Sequence, residues 1–294
     1  VPELPDVEVY VEKVAGLLAG KTLKRITILN PFVLRSVQPP PVEFSGKRVR
    51  STRRIGKRVV LEFEGELFAV LHLMIAGRLR WLAAGKKPPG RITLAGFEFE
   101  AGTLVLTEAG SKRRASLHLV QGADALAAFD PGGVELQEIT VEQFAQRLTH
   151  ENHTLKRALT DPHSFAGIGN AYSDEILFRA KLSPLSLTQN LQLEEIARLF
   201  AACREVLDEW TVRLREQAGA GLPENVTAFR PEMTVHGKYG KPCPVCGSPI
   251  QRIVYAENET NYCARCQTGG RLLADRSLSR LLHASWPKSI DELG

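Results

Sequence analysis

Hydrophobic positions change their period along the chain. Val7, Tyr10, Val11, Val14, Leu17 and Leu18 recur every three or four residues, which predicts an amphipathic helix over Pro5 to Leu18 that ends before Gly20. From Thr22 to about Gln121 the period falls to two, as in Arg58-Val59-Val60-Leu61-Glu62-Phe63-Glu64, with turns at Glu64-Gly65 and Ala84-Gly85. That alternation predicts a β-sandwich of roughly eight strands. Past Asp130-Pro131-Gly132-Gly133 the helical period returns, with helices over Val141 to Leu148, Thr154 to Leu159, Ala171 to Ala180 and about Leu193 to Gln217. The last carries Ile196, Leu199, Phe200, Cys203, Leu207, Trp210 and Leu214 on one stripe, so Cys203 reads as a small core residue. Gly219-Ala220-Gly221 then opens a flexible loop to about Pro231, and Ile250 to Ala256 with its return predicts a hairpin. The pattern is that of an α+β multidomain protein, with a sandwich and leading helix over 1–130, a helical domain over 131–231 and a hairpin domain with a helical extension over 232–294.

Composition narrows the class. At 294 residues the chain exceeds one typical domain of roughly 100–150 residues. No apolar run approaches the roughly 20 residues of a membrane helix, and the longest, Leu67 to Gly77, is interrupted by His72. No basic-then-apolar signal segment opens the sequence, so the chain is expected to stay in the cytoplasm, as a monomer with no membrane partner. The net charge of +5 points to an anionic partner. Its distribution says more, since Arg48, Arg50, Arg53, Arg54, Lys57 and Arg58 crowd one stretch and Lys112, Arg113 and Arg114 another. Either cluster alone could be a solvated face; both together, beside a metal-binding signature, favour nucleic acid.

Cys243-Pro244-Val245-Cys246 and Cys263-Ala264-Arg265-Cys266 stand 16 residues apart, the spacing of a tetrahedral zinc site with two ligands from each tight turn. Four thiolates close the shell, so this single Zn2+ is structural. Gly167-Ile168-Gly169-Asn170 sets two permissive residues and an amide at a helix start, where free N–H groups bind phosphate; a plain glycine turn with Asn170 as N-cap is the alternative. Pro2 and Glu3 set a nitrogen that is a secondary amine at a chain end beside a carboxylate. Such an amine attacks an aldehyde carbon to give an iminium ion, an electron sink that lets neighbouring bonds break. The start of a helix nearby disfavours the protonated amine.

Pro2-Glu3-Leu4-Pro5-Asp6, Gly56-Lys57, His72 leading Gly77, Gly167 to Glu175 and the four-cysteine finger occur in that order. Together they closely resemble the formamidopyrimidine-DNA glycosylase / endonuclease VIII family, over residues 2 to about 267, with the Pro-Glu-Leu-Pro opening nearer the formamidopyrimidine branch. The resemblance implies an N-terminal β-sandwich, a helix-two-turn-helix module and a zinc finger. It further implies double-stranded DNA with damaged bases or abasic sites as partner, no soluble cofactor, and base excision followed by nicking of the abasic strand. By the same resemblance Pro2 is the Schiff-base nucleophile and Glu3 the acid/base carboxylate. Lys57 is a cation on the phosphate beside the lesion, and Asn170 with the Gly169 backbone is a second phosphate clamp. His72 is either a DNA contact or a satisfied histidine of an apolar strand.

The sequence departs from the family pattern at several places. Val1 precedes Pro2 and would acylate its nitrogen; removal of that residue restores the amine. Ile75, with Met74 beside it, stands where the family has the methionine that fills the gap left by an everted base, and in a strand only one of the two would face the DNA. The next loop, Glu108 to Arg114, has no aromatic wedge, leaving Arg113 or Arg114 to occupy the gap. Asn258 replaces the finger arginine, keeping a hydrogen bond but not the charge. Oxidised purines are the expected substrates; oxidised pyrimidines, or abasic-site binding with impaired chemistry, are the alternatives. Some 28 residues extend past the usual family end, where Leu273, Ala274, Leu278, Leu281, Leu282 and Trp286 suggest a helix capped by Asp275.

Overall fold

The computed structural model describes residues 2–110, 113–224, 226–227, 229–255, 258–273 and 287–293. They fall into two compact units, one of Val1–Pro131 with Trp210–Thr227 and the other of Gly132–Glu209 with Ala228–Gly294.

In the first unit, α1 (Leu4–Leu18) starts one residue before the predicted helix because Glu3 caps it. The Glu3 side chain accepts from the backbone N–H of Asp6, and Asp6 Oδ2 accepts from the Glu3 N–H at 3.1 Å. Val7, Tyr10, Val11, Val14 and Leu18 form its buried stripe. Eight strands follow: β1 (Leu23–Ile28), β2 (Val49–Ile55), β3 (Arg58–Phe63), β4 (Leu67–His72), β5 (Gly77–Ala83), β6 (Thr93–Phe99), β7 (Gly102–Glu108) and β8 (Ser116–Gln121). They pair antiparallel in two four-stranded sheets, ordered β1-β6-β7-β5 and β2-β3-β4-β8. Val59, Leu61 and Phe63 of β3 face the main core with Leu71, Phe97, Leu104 and Leu117. Val60, Phe68 and Val70 turn to the opposite face and bury with Leu126 of α2 (Ala123–Ala127). Cover on both faces explains why β4 is a continuous apolar run rather than an alternating one.

The segment after the long helix does not match its expectation. Leu222 and Val226 are buried in the main core of this unit, so two side chains of the expected flexible loop are anchored while Gly219 to Gly221 and Glu224 stay exposed. Two apolar anchors beneath a glycine-rich stretch outweigh its intrinsic freedom.

In the second unit, α3 (Val141–Thr149), α4 (Leu155–Thr160), α5 (Asn170–Arg179) and the start of α6 (Leu193–Ala218) lie close to the helices read from periodicity. Phe144 packs on Phe165 and Phe200 with ring centroids 5.0 and 5.1 Å apart. A Thr140–Gln143 capping box starts α3. Cys203 is fully buried in α6, and burial pushes its thiol above the ordinary range. The hairpin is β9 (Gln251–Tyr255) and β10 (Asn258–Tyr262), followed by α7 (Ala264–Thr268). Leu272, Leu273 and Ile290 bury against Tyr262 and Ala264. Of the residues expected to form a last helix, Leu273 is described and buried, and the others, from Ala274 to Trp286 with the cap at Asp275, lie outside the described residues. The architecture is thus α+β: a leading helix, a β-sandwich, a helical module and a finger hairpin. Among the described residues no helix is long and apolar enough to cross a membrane.

Candidate active site and metal centre

Pro2 and Glu3 are buried immediately before α1, at the end where its unpaired N–H groups and dipole concentrate positive potential. Lys57 sits in the two-residue turn between β2 and β3, after Gly56, whose φ of +55° suits the first position of a mirror-image hairpin turn. Burial lowers the Lys57 ammonium below the usual lysine range, while the Glu3 carboxylate opposes that shift. Residues far apart in sequence thus share one electrostatic environment.

His72 ends β4, paired with Arg58 of β3 and Ser116 of β8. Its pKa is lowered to about 4 by burial first and then by Arg58, Lys57 and His118. A neutral imidazole therefore stands among cations at pH 7. The strand geometry expected for Met74 and Ile75 is corrected: both lie in a tight turn between β4 and β5, closed by Gly77 N–H donating to Leu73 O at 2.8 Å. A Cβ on Gly77 would stand 2.2 Å from that oxygen, so the turn excludes a side chain there. Met74 takes a left-handed φ of +52°, uncommon for an L residue, and Ile75 is 55% exposed at the tip.

Glu108 organises the following loop, a role that no sequence signal announced. Its carboxylate is buried and accepts from Arg114 N–H at 3.0 Å and Ala115 N–H at 3.1 Å. Arg113 and Arg114 are both exposed, and Arg113 Nη2 donates to the Arg91 carbonyl at 2.7 Å.

In the second unit the Gly-rich turn leads into α5 with Gly169 as N-cap, so the alternative of a turn capped by Asn170 is corrected. Asn170 is the first helical residue, and its Nδ2 donates instead to Glu259 O of β10 at 2.9 Å. Asp174, one helical turn on, accepts from Lys156 Nζ at 2.5 Å, from the backbone N–H of Asn261 at 3.0 Å, and lies 2.7 Å from His236 Nδ1. Glu175 accepts from the backbone N–H groups of Thr234, Val235 and His236 at 2.8–2.9 Å. These two carboxylates stand in the quoted motif, but nothing in their spacing announced that they hold a distant loop and hairpin. Asn258 is exposed at the start of β10, opposite Tyr255.

The four cysteines converge. All Sγ atoms lie within 4.8 Å of one another, with 3.9 Å between Cys243 and Cys266 and 3.4 Å between Cys246 and Cys263. Zinc–sulfur bonds of about 2.3 Å in a tetrahedron put sulfurs about 3.8 Å apart, so the residues fit one Zn2+. Burial raises the Cys263 thiol and takes that of Cys266 to about 11. Cys246 falls to about 6, burial notwithstanding, through hydrogen bonds from Ser248. Holding four thiolates together in this setting calls for a divalent cation, which here has a structural role.

Three family models match the chain: the formamidopyrimidine-DNA glycosylase N-terminal domain over residues 1–115, the formamidopyrimidine-DNA glycosylase H2TH domain over 129–218, and the zinc finger found in FPG and IleRS over 240–269. The formamidopyrimidine-DNA glycosylase of Solibacter usitatus is 31% identical, covering 90% of this chain and 99% of that protein. The crystal structure of the MutM (FPG) protein of Thermus thermophilus superposes with a TM-score of 0.76 at 31% identity, over 90% of this chain and 98% of that one. A Lactococcus lactis FPG mutant in complex with Fapy-dG-containing DNA superposes at 0.79 and 25% identity, over 91% and 100%. By its sequence, its sandwich, its helical module and its four-cysteine finger, this chain belongs to the formamidopyrimidine-DNA glycosylase family.

Proposed function

We propose that this protein is a bifunctional DNA glycosylase/AP lyase of base-excision repair, acting on double-stranded DNA and excising oxidised purines such as 8-oxoguanine and formamidopyrimidines. The observation that carries the reading is the buried Pro2–Glu3 pair at the positive end of α1, in electrostatic contact with Lys57. With its nitrogen free, Pro2 attacks C1′ of the damaged nucleotide, and the base departs. Glu3 protonates the opening deoxyribose oxygen, and the resulting iminium ion acidifies the neighbouring C–H so that the phosphate at C3′ is eliminated. A lysine kept short of full solvation suits a contact to the phosphate beside the lesion, and His72, neutral and at a strand end, can donate to the same backbone.

Asn170, Gly169 and Asn258 complete the proposed DNA contacts from the second unit, with Asn258 supplying a neutral donor in place of a cation. Ile75, exposed on its closed turn, is assigned to the space of the everted base, joined by Arg113 or Arg114. The substrate assignment rests on the Pro-Glu-Leu-Pro opening and on a segment after α6 long enough to cover an everted bicyclic base.

Borohydride trapping on abasic duplex tests the chemistry, using protein whose intact mass shows Pro2 at the amino terminus. A covalent adduct is expected, strongly reduced in Pro2→Gly, where a primary amine replaces the ring nitrogen, and formed in Lys57→Ala at a rate lower by about tenfold, as for loss of a charge-assisted contact. Failure of the free-Pro2 protein to trap would leave only damaged-DNA binding. On single-lesion duplexes at equal salt, 8-oxoguanine and formamidopyrimidine should be released faster than thymine glycol or dihydrouracil; the opposite order would make this an oxidised-pyrimidine enzyme.

A further inference from the structure

The turn that carries Ile75 and the segment that follows α6 are tied through one side chain. Arg78, the second residue of β5, has its backbone fixed by the β5–β7 ladder, where it pairs with Thr107. Its Nη1 donates to Ile75 O at 3.2 Å and to Gly77 O at 2.6 Å, and its Nη2 donates to Val226 O. The same segment is held independently by Tyr10, whose hydroxyl donates to Pro223 O at 3.0 Å, by Lys13 on Gly219 O, and by burial of Leu222 and Val226. Of these ties, the guanidinium alone reaches both the turn and the segment. Its planar fork suits this, since Nη1 and Nη2 are separate nitrogens that reach acceptors on different segments, whereas an ammonium sends all its donors from one nitrogen. All these residues lie within the first unit.

We propose that Arg78 is a positioning residue that couples the Ile75 turn to the 219–227 segment, so that the side chain replacing an everted base and the backbone covering that base are set as one body. The proposal rests on the reading of the protein as a base-everting glycosylase. Excision of an intact lesion needs both parts, one to hold the gap in the duplex and the other to enclose the base. Cleavage at a preformed abasic site has no base to enclose and depends on the segment less.

The test compares Arg78→Met, Arg78→Lys and Tyr10→Phe by amide hydrogen exchange and by kinetics. Loss of Arg78 should speed exchange in 73–77 and in 219–227 together, whereas Tyr10→Phe, which removes the tie to Pro223 and a hydrogen bond with the Leu79 backbone of β5 but none to the turn, should loosen 219–227 and leave 73–77 protected. Single-turnover excision of 8-oxoguanine by Arg78→Met should fall about tenfold further than borohydride trapping on abasic duplex, the scale expected when a charged donor leaves its carbonyls. Arg78→Lys keeps the charge without the fork, guards against a fold lost in the methionine variant, and should show the same split in weaker form. Loosening of one segment without the other in both Arg78 variants, or equal losses in excision and trapping, would overturn the proposal. If the wild-type protein releases no base, the proposed function fails, and the exchange comparison still decides whether Arg78 couples the two segments.

Discussion

At the level of single residues, the informative feature is how far burial outweighs ordinary side-chain behaviour. His72 is held near pKa 4 by burial and then by Arg58, Lys57 and His118, against about 6.5 in an unfolded chain. Because the folded value is depressed, the unfolded chain takes up a proton that the folded one refuses as pH falls. The stability present above about pH 6.5 is therefore lost progressively down to about pH 4, by up to about 3 kcal/mol from this group. Urea unfolding of His72→Gln should show a flatter loss across that window than the wild type. Equal slopes for the two proteins would mean that His72 titrates normally. The sequence placed His72 within an apolar strand but left two roles open, because periodicity shows that a residue is enclosed and not which charges enclose it. The same limit hid Glu108: an acidic residue at the end of a strand reads as solvated, and only the fold reveals the loop N–H groups turned towards it. Met74 and Ile75 read as strand residues because the stretch from Leu67 to Ile75 is apolar apart from His72, and the turn depends on a backbone hydrogen bond from Gly77 that leaves no hydrophobic signature.

At the level of elements, periodicity located most helices and strands because they bury one clear stripe or face, while β4, covered on both, reads as an apolar run. What it could not read is how α5 holds its partners. Asn170, Asp174 and Glu175 reach β10 and residues 234–236, between 59 and 89 positions away in sequence. Carboxylates replace apolar contacts here because the groups they meet are backbone N–H donors that would otherwise be buried unpaired. Asp174 joins Lys156, His236 and Asn261 around one side chain that is wholly enclosed. Asp174→Asn retains the shape while removing the charge that balances Lys156. Breaking a buried ionic contact from one side costs about 3–5 kcal/mol, so a large drop in the urea midpoint is expected, with exchange protection lost at β10 before the sandwich strands. A change below about 1 kcal/mol would mean that water already shares the load at this site.

At the level of the whole molecule, its parts were legible in order: leading helix, alternating strands, amphipathic helices and a hairpin between two Cys-x-x-Cys pairs. The segment after α6 was not, because glycines advertise freedom while the restraint comes from side chains of α1 and β5 far away in sequence. The finger raises the reverse question, of how a region with so little core stays folded. Its two strands have five residues each, and a two-stranded hairpin is marginal by itself in water. Val235, Cys243, Ile250 and Cys263 bury together with Phe178 of α5 beside them, a cluster in which two of the buried members are metal ligands. Removing the metal therefore removes a cross-link and part of the core at once, and leaves buried thiols that burial already holds protonated at Cys263. One zinc per chain is expected by atomic emission, with release on acidification as protons compete for the thiolates. Cys243→Ser and Cys266→Ser should lose the metal, the amide protection of β9 and β10, and affinity for abasic duplex, while β3 and β4, whose core shares no residue with the finger, remain protected. A metal-free protein that binds the duplex as tightly as the zinc-loaded form, at the same salt, would show that the hydrogen bonds from Asn170 and Asp174 suffice to hold the hairpin in place without it.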